Sequence, residues 1–181
     1  MVVGQAGLKK VLDMSHTRFA MLVAAFAGLL TSGSLTARSQ GPAFISQKAL
    51  TLDGAQGIAQ AALEHCRAQG YQVSVSVIDA SGLPKVYLRD DGSSLQTIDV
   101  SRRKAYTALI YKRPSSETVK AWAADPQRVL VTIEGTVALG GGVPIKAGNE
   151  VIGGIGVSGA SGSDKDEACA MAGAKVTGKP K

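Results

Sequence analysis

Gly140-Gly141-Gly142-Val143-Pro144-Ile145 and Val151-Ile152-Gly153-Gly154-Ile155-Gly156-Val157-Ser158-Gly159 flank a polar turn, Lys146-Ala147-Gly148-Asn149-Glu150. β-Branched residues dominate both runs, and Gly and Asn in the turn tolerate positive φ, so the segment predicts a β-hairpin. Glycines spaced through a strand let another backbone or a flat ligand come close. The region therefore predicts a small α/β domain with a tightly approached sheet edge or pocket. After Gly159 the chain passes through Ala160-Ser161-Gly162 into a helix expected from Asp164 to about Lys175, with Ser163 and Asp166 in a capping-box-like pair.

Upstream of the hairpin, Thr51 reads as the N-cap of a first helix, with Asp53 near its positive end. Leu52, Ala55, Ile58, Ala59, Ala62, Leu63 and Cys66 recur at helical spacing, and Gly70 supplies a stop. Val73 to Asp79 alternates apolar and polar residues, the pattern of a half-buried strand, and Leu83 to Arg89 returns as its hairpin partner with Pro84 at the strand start. A helix from Ser94 or Leu95 to Tyr111 follows, then a shorter one from Ser115 or Ser116 to Ala124. Val129 to Ile133 fits either a short strand or an extended loop. Hairpins separated by helices predict an α+β domain, with helices packed on an antiparallel sheet.

The chain has 181 residues and a formal net charge of +6. Its first 37 residues read as a signal peptide: Lys9, Lys10 and Arg18 precede an apolar run from Phe19 to Leu30 and then small residues ending at Ala37. The run is too short for a membrane span, which takes about 20 residues. Cleavage there leaves a net charge of +4, a flexible lead over 38–49 and one domain from 50 to 177. The expected location is periplasmic or secreted. Lys and Arg are not interleaved with aromatics, so nucleic-acid binding is not expected.

The chemistry available is limited. His65 is the only histidine after the signal segment, which excludes a two-histidine metal site within one chain. Cys66 and Cys169 lie too far apart for a metal knuckle, and the residues leave them as two buried thiols or, in an oxidising compartment, a pair. Gly154 to Gly159 fits a bare G-x-G-x-x-G, but inside a strand rather than in the turn after one. The remaining cluster is Arg102-Arg103-Lys104-Ala105-Tyr106, where cations beside a phenol can hold an anionic planar ligand. The alternative is a solvated helix face.

Five segments carry a resemblance: Val75 to Gly82, Arg89 to Gly92, Arg103 to Ala108, Gly141 to Ile145 and Ile152 to Gly159. In this order they resemble the haem-binding GlcG/HbpS family, also called the haem-degrading domain family, from about Leu50 to Thr177. The resemblance implies a two-layer α/β sandwich of profilin/PAS-like kind, a homo-oligomer, and haem or another tetrapyrrole as ligand. Pro114-Ser115-Ser116-Glu117 resembles the family's Pro-Thr-Ser-Glu-type segment, whose threonine lies near haem in some members; here Ser115 stands in its place. A serine hydroxyl is a poor iron ligand, and Tyr106 and His65 are chemically better ones. If the first and last helices share a face, as the resembling fold implies, Cys66 and Cys169 can approach each other.

The sequence thus predicts an exported, non-catalytic binding protein for haem or a related planar anion, with Arg103, Lys104, Tyr106 and Ser115 as the ligand-binding residues. Two alternatives come from other classes. One is an enzyme acting on a small metabolite through Asp79, Arg89, Lys104 or Tyr106; the other is a structural oligomer subunit without a ligand.

Overall fold

A computed structural model describes residues 41–125, 127 and 133–178. The expected signal peptide lies outside these residues, as does most of the ambiguous Val129 to Ile133 stretch. The described residues from Ser46 onward belong to one compact unit.

Helix α1 (Leu52–Arg67) starts as the sequence predicts, with the Thr51 hydroxyl accepting the Gly54 N–H at 3.1 Å. Ala55, Ile58, Ala59, Ala62, Leu63 and Cys66 are buried, but Leu52, expected on the same stripe, is 53% exposed. Leu52, the first helical residue, instead lines an open groove with Gln56, Gln60 and Val86. Strands β1 (Ser74–Asp79) and β2 (Pro84–Arg89) form the first hairpin. Helices α2 (Thr97–Tyr111) and α3 (Ser115–Ala124) follow, then β3 (Gly142–Ala147), β4 (Glu150–Ser158), α4 (Ser163–Ala174) and a 3₁₀ turn, Lys175–Gly178.

The four strands make one antiparallel sheet in the order β2-β1-β4-β3. β1 and β4 are direct neighbours and run antiparallel, with Ser76 opposite Gly156. The class is α+β, as predicted. Side chains alternate across a strand, and here both rows are covered. Val75, Val77, Val143, Ile145, Ile155 and Val157 join α1 and α4 in the main core. On the other side, Ile78 packs with Ala105 and Leu109 of α2. The two-layer arrangement thus describes the α1/α4 side of the sheet, and α2 adds cover on the opposite face.

That cover corrects the expectation that β1 is half-buried. Ser74 and Ser76 are fully buried beneath α2 rather than on a wet face; the Ser74 hydroxyl bonds those of Ser93 and Thr97, and that of Ser76 finds no partner among the described residues. In the same cross-strand row as Ser76, a Cβ on Gly142 would lie 2.0 Å from the Lys104 carbonyl oxygen, and one on Gly156 the same distance from that of Ser101. The glycine-rich strands do admit a close neighbour, and it is the backbone of α2.

Cys66 of α1 and Cys169 of α4 form a disulfide with Cα atoms 5.6 Å apart, so the two-thiol alternative falls. It closes because both helices pack on one face of the sheet, a spacing suited to the bond. The capping box at α4 does not form. Asp166 instead accepts the Ala160 N–H at 2.9 Å and faces Lys104.

Candidate functional site

Successive residues of a helix point about 100° apart, and α2 accordingly sends Arg103, Lys104 and Tyr106 in different directions. Arg103 is exposed and pairs with Asp99 one turn earlier, which also receives Arg102. Exposed pairs of this kind are worth about 0.2–1 kcal/mol.

Lys104 is not a surface cation. It is 2% exposed, with its Nζ 2.6 Å from Asp166 Oδ2. Burial pushes the Asp166 carboxyl up, against the lowering effect of the Lys104 hydrogen bond and charge. Ser115 is also fully buried, and its hydroxyl accepts the Gly142 N–H at 2.8 Å. The N-terminus of α3 does attract an anion, as a helix start should, but the anion is internal. Glu167 of α4 accepts from the Ser116 hydroxyl at 2.6 Å, the Ser116 N–H at 3.2 Å and the Gly141 N–H at 3.3 Å. Lys104 and Ser115 therefore belong to a buried polar junction joining α2, α3, α4 and the start of β3, and sequence reasoning missed the two acids that complete it. The only prior signal was the closeness of Asp166 and Glu167 to the start of a helix.

Tyr106 stands apart from this junction. Its ring passes between two turns: a Cβ on Gly82 would sit 2.8 Å from Tyr106 Cε2, and one on Gly135 would sit 3.5 Å from the ring's other edge. Both glycines have positive φ, 79° and 84°, a region other residues avoid. The ring forms part of an open groove of about 330 Å³ with Leu109, Ile110, Lys112, Val151 and the Ala80–Ser81 turn. Lys112 enters it as the left-handed cap of α2, at φ 54°. No hydrogen-bond partner for the Tyr106 hydroxyl occurs among the described residues. The groove thus offers a phenol, an ammonium and an apolar wall, a donor set suited to the edge of a flat, anionic, apolar molecule.

The residues proposed for acid/base chemistry do not converge. Asp79 holds its own turn, accepting the N–H groups of Ser81 at 2.9 Å and Leu83 at 3.1 Å. Arg89 donates to the Ser93 carbonyl at 2.9 Å. His65 is exposed on α1. Among the described residues, no group of three or more His, Cys, Asp or Glu side chains can hold a metal ion, and no helix is long and apolar enough to cross a membrane.

An antiparallel four-stranded sheet with a helix in backbone contact with its glycine strands defines the fold class, and comparison with known proteins gives the family. Residues 50–175 match the family described as haem degrading protein HbpS-like, and the chain belongs to it. A crystal structure of a double mutant of HbpS from Streptomyces reticuli is similar, with 40% identity and a TM-score of 0.72 over 78% of this chain and 95% of that one. The crystal structure of a PduOC:heme complex is similar at 25% identity and a TM-score of 0.63, covering 71% of this chain and 95% of that one. Among curated proteins, a 15.0 kDa protein of the dhaT-dhaS intergenic region of Citrobacter freundii is 32% identical over 115 residues, 61% of this chain and 80% of the relative.

Proposed function

We propose that this protein is an exported tetrapyrrole-binding protein, with haem as its ligand, and that it works as a homo-oligomer. The observation that carries the reading is the similarity to the heme complex of PduOC, within a family described by haem chemistry. The Tyr106 groove supports it chemically. Leu109, Ile110 and Val151 give the face of a macrocycle an apolar wall, and Lys112 can pair with a propionate. The Tyr106 phenol can approach iron along the ring edge held between Gly82 and Gly135. The bound group would supply the iron centre, while the protein supplies orientation and charge.

Export is supported by the order of basic, apolar and small segments in residues 1–37, and by a disulfide, which persists in oxidising compartments. Oligomerisation is supported by the groove itself. It is open and would cover one side of a flat ligand, and Leu83, 63% exposed in the turn beside it, offers apolar surface to a second copy.

The location is tested by titrating ferric haem into Lys112→Ala and into an Arg103→Ala, Lys104→Met pair of single variants. A charge-assisted contact is worth about 1.5–3 kcal/mol, so Lys112→Ala weakens haem by at least about tenfold. Folded Arg103→Ala and Lys104→Met bind as the parent does. Weakening in either of these, with Lys112→Ala unaffected, moves the site away from the groove.

A further inference from the structure

Helix α4 covers a large part of the α1 side of the sheet with almost no apolar bulk of its own. Its buried residues are Asp166, Glu167, Cys169, Ala170 and Gly173, and its Met171 is 40% exposed. A helix is normally fastened by a stripe of Leu, Ile or Phe. Besides the close packing of Ala170 and Gly173 on the core and α1, it is held by one disulfide to α1, by Asp166 on Lys104 and Ala160, and by Glu167 on Ser116 and Gly141. Elements with few buried apolar contacts open first when a constraint is removed.

We propose that the Cys66–Cys169 disulfide is a redox catch on α4. Its reduction lets α4 leave the sheet while β1, β4 and α2 stay folded, and this uncovers the Lys104 ammonium and the N-terminus of α3 together. Uncovering follows because Asp166 and Glu167, the hydrogen-bond partners of the Lys104 ammonium and the Ser116 N–H, both leave with α4. Once freed, Lys104 and the start of α3 present a cation beside unpaired helix N–H groups. A dithiol is the reductant. One of its thiolates attacks a protein sulfur, breaking the Cys66–Cys169 bond and forming a mixed disulfide; its second thiolate then displaces that sulfur. Two electrons pass to the protein, both cysteines end as thiols, and the dithiol closes to its own disulfide. Both sulfurs are fully buried, so attack waits on a brief opening of α4. This inference does not rest on the haem reading.

The test is hydrogen exchange, followed by mass spectrometry, on the intact protein before and after dithiothreitol, with thiol labelling to verify reduction. Residues 163–174 and 115–118 should exchange at least about tenfold faster in the reduced protein, while β1, β4 and α2 stay within about twofold of the oxidised rates. A uniform acceleration across the domain, or none, overturns the proposal. Glu167→Gln with the disulfide intact separates the catch from the carboxylates. It should speed exchange at 115–118 and leave 163–174 protected; loss of protection over 163–174 in that oxidised variant also overturns it.

Discussion

Replacing Gly156 by Ala should displace α2 from the sheet. The new Cβ would lie 2.0 Å from the Ser101 carbonyl oxygen and 2.5 Å from the Ala105 nitrogen, where ordinary contact begins at 3.4 Å. Both obstacles are helix backbone, so no side-chain rotation relieves them, and α2 must withdraw by more than an ångström. Overpacking typically costs about 1–3 kcal/mol when side chains can adjust. A gap of 0.5–1 Å forfeits about a quarter to a half of the contact energy across it, and Ala105, Ala108 and Leu109 all lie on α2's buried side. The expected loss is therefore about 3 kcal/mol or more. With a urea m-value of about 1–3 kcal/mol/M, the midpoint falls by about 1–3 M. Gly57→Ala is the control: its Cβ would find only Val176 Cγ1 at 3.8 Å, inside α1. It should gain about 0.5–1 kcal/mol from helix propensity. Equilibrium urea unfolding of the oxidised proteins measures both. If Gly156→Ala falls within about 0.5 kcal/mol of the parent, the claim that α2 rests on glycine backbone is wrong.

Three further outcomes are expected. Lys104→Ala strands the Asp166 carboxylate in the interior and should cost about 3–5 kcal/mol in urea unfolding, whereas Arg103→Ala should stay within about 0.5 kcal/mol of the parent. Arg67 hydrogen-bonds Asp90 and holds its carboxyl below the usual 3.8. A lowered folded value stabilises above the unfolded value and is lost as pH falls through the folded one; the parent should therefore shed stability below about pH 4, and Asp90→Asn should flatten that part of the stability–pH curve. Intact mass of protein recovered from the cell envelope should show the loss of the first 37 residues; a full-length species confined to the cytoplasm would contradict export.

Much of the fold was legible because the local signals were strong. Thr51 caps α1, the Gly148–Asn149 turn joins β3 to β4, and the apolar spacing in α1 matches its buried face. What periodicity could not convey was the second face of the sheet. Ser74 and Ser76 look like solvent positions in a one-dimensional pattern, and only the opposing glycines of β3 and β4 reveal that a helix lies on them. The site was less legible for a related reason. Arg103 and Lys104 are adjacent in sequence, yet one is exposed and the other buried, and the partners that decide this, Asp99 and Asp166, differ in their distance along the chain. Tyr106 was identified from its chemistry, while Gly82, Gly135 and Lys112, which shape its groove, come from separate turns with no shared motif.

The most direct test of tetrapyrrole binding is a Soret-region difference titration of ferric haem into the purified protein lacking residues 1–37, with Tyr106→Phe in parallel. The account predicts a saturable Soret change for the parent, with a different band position for Tyr106→Phe because the phenol no longer reaches the iron. A non-saturating signal for the parent, no stronger than haem adsorbing to an unrelated protein, would contradict it.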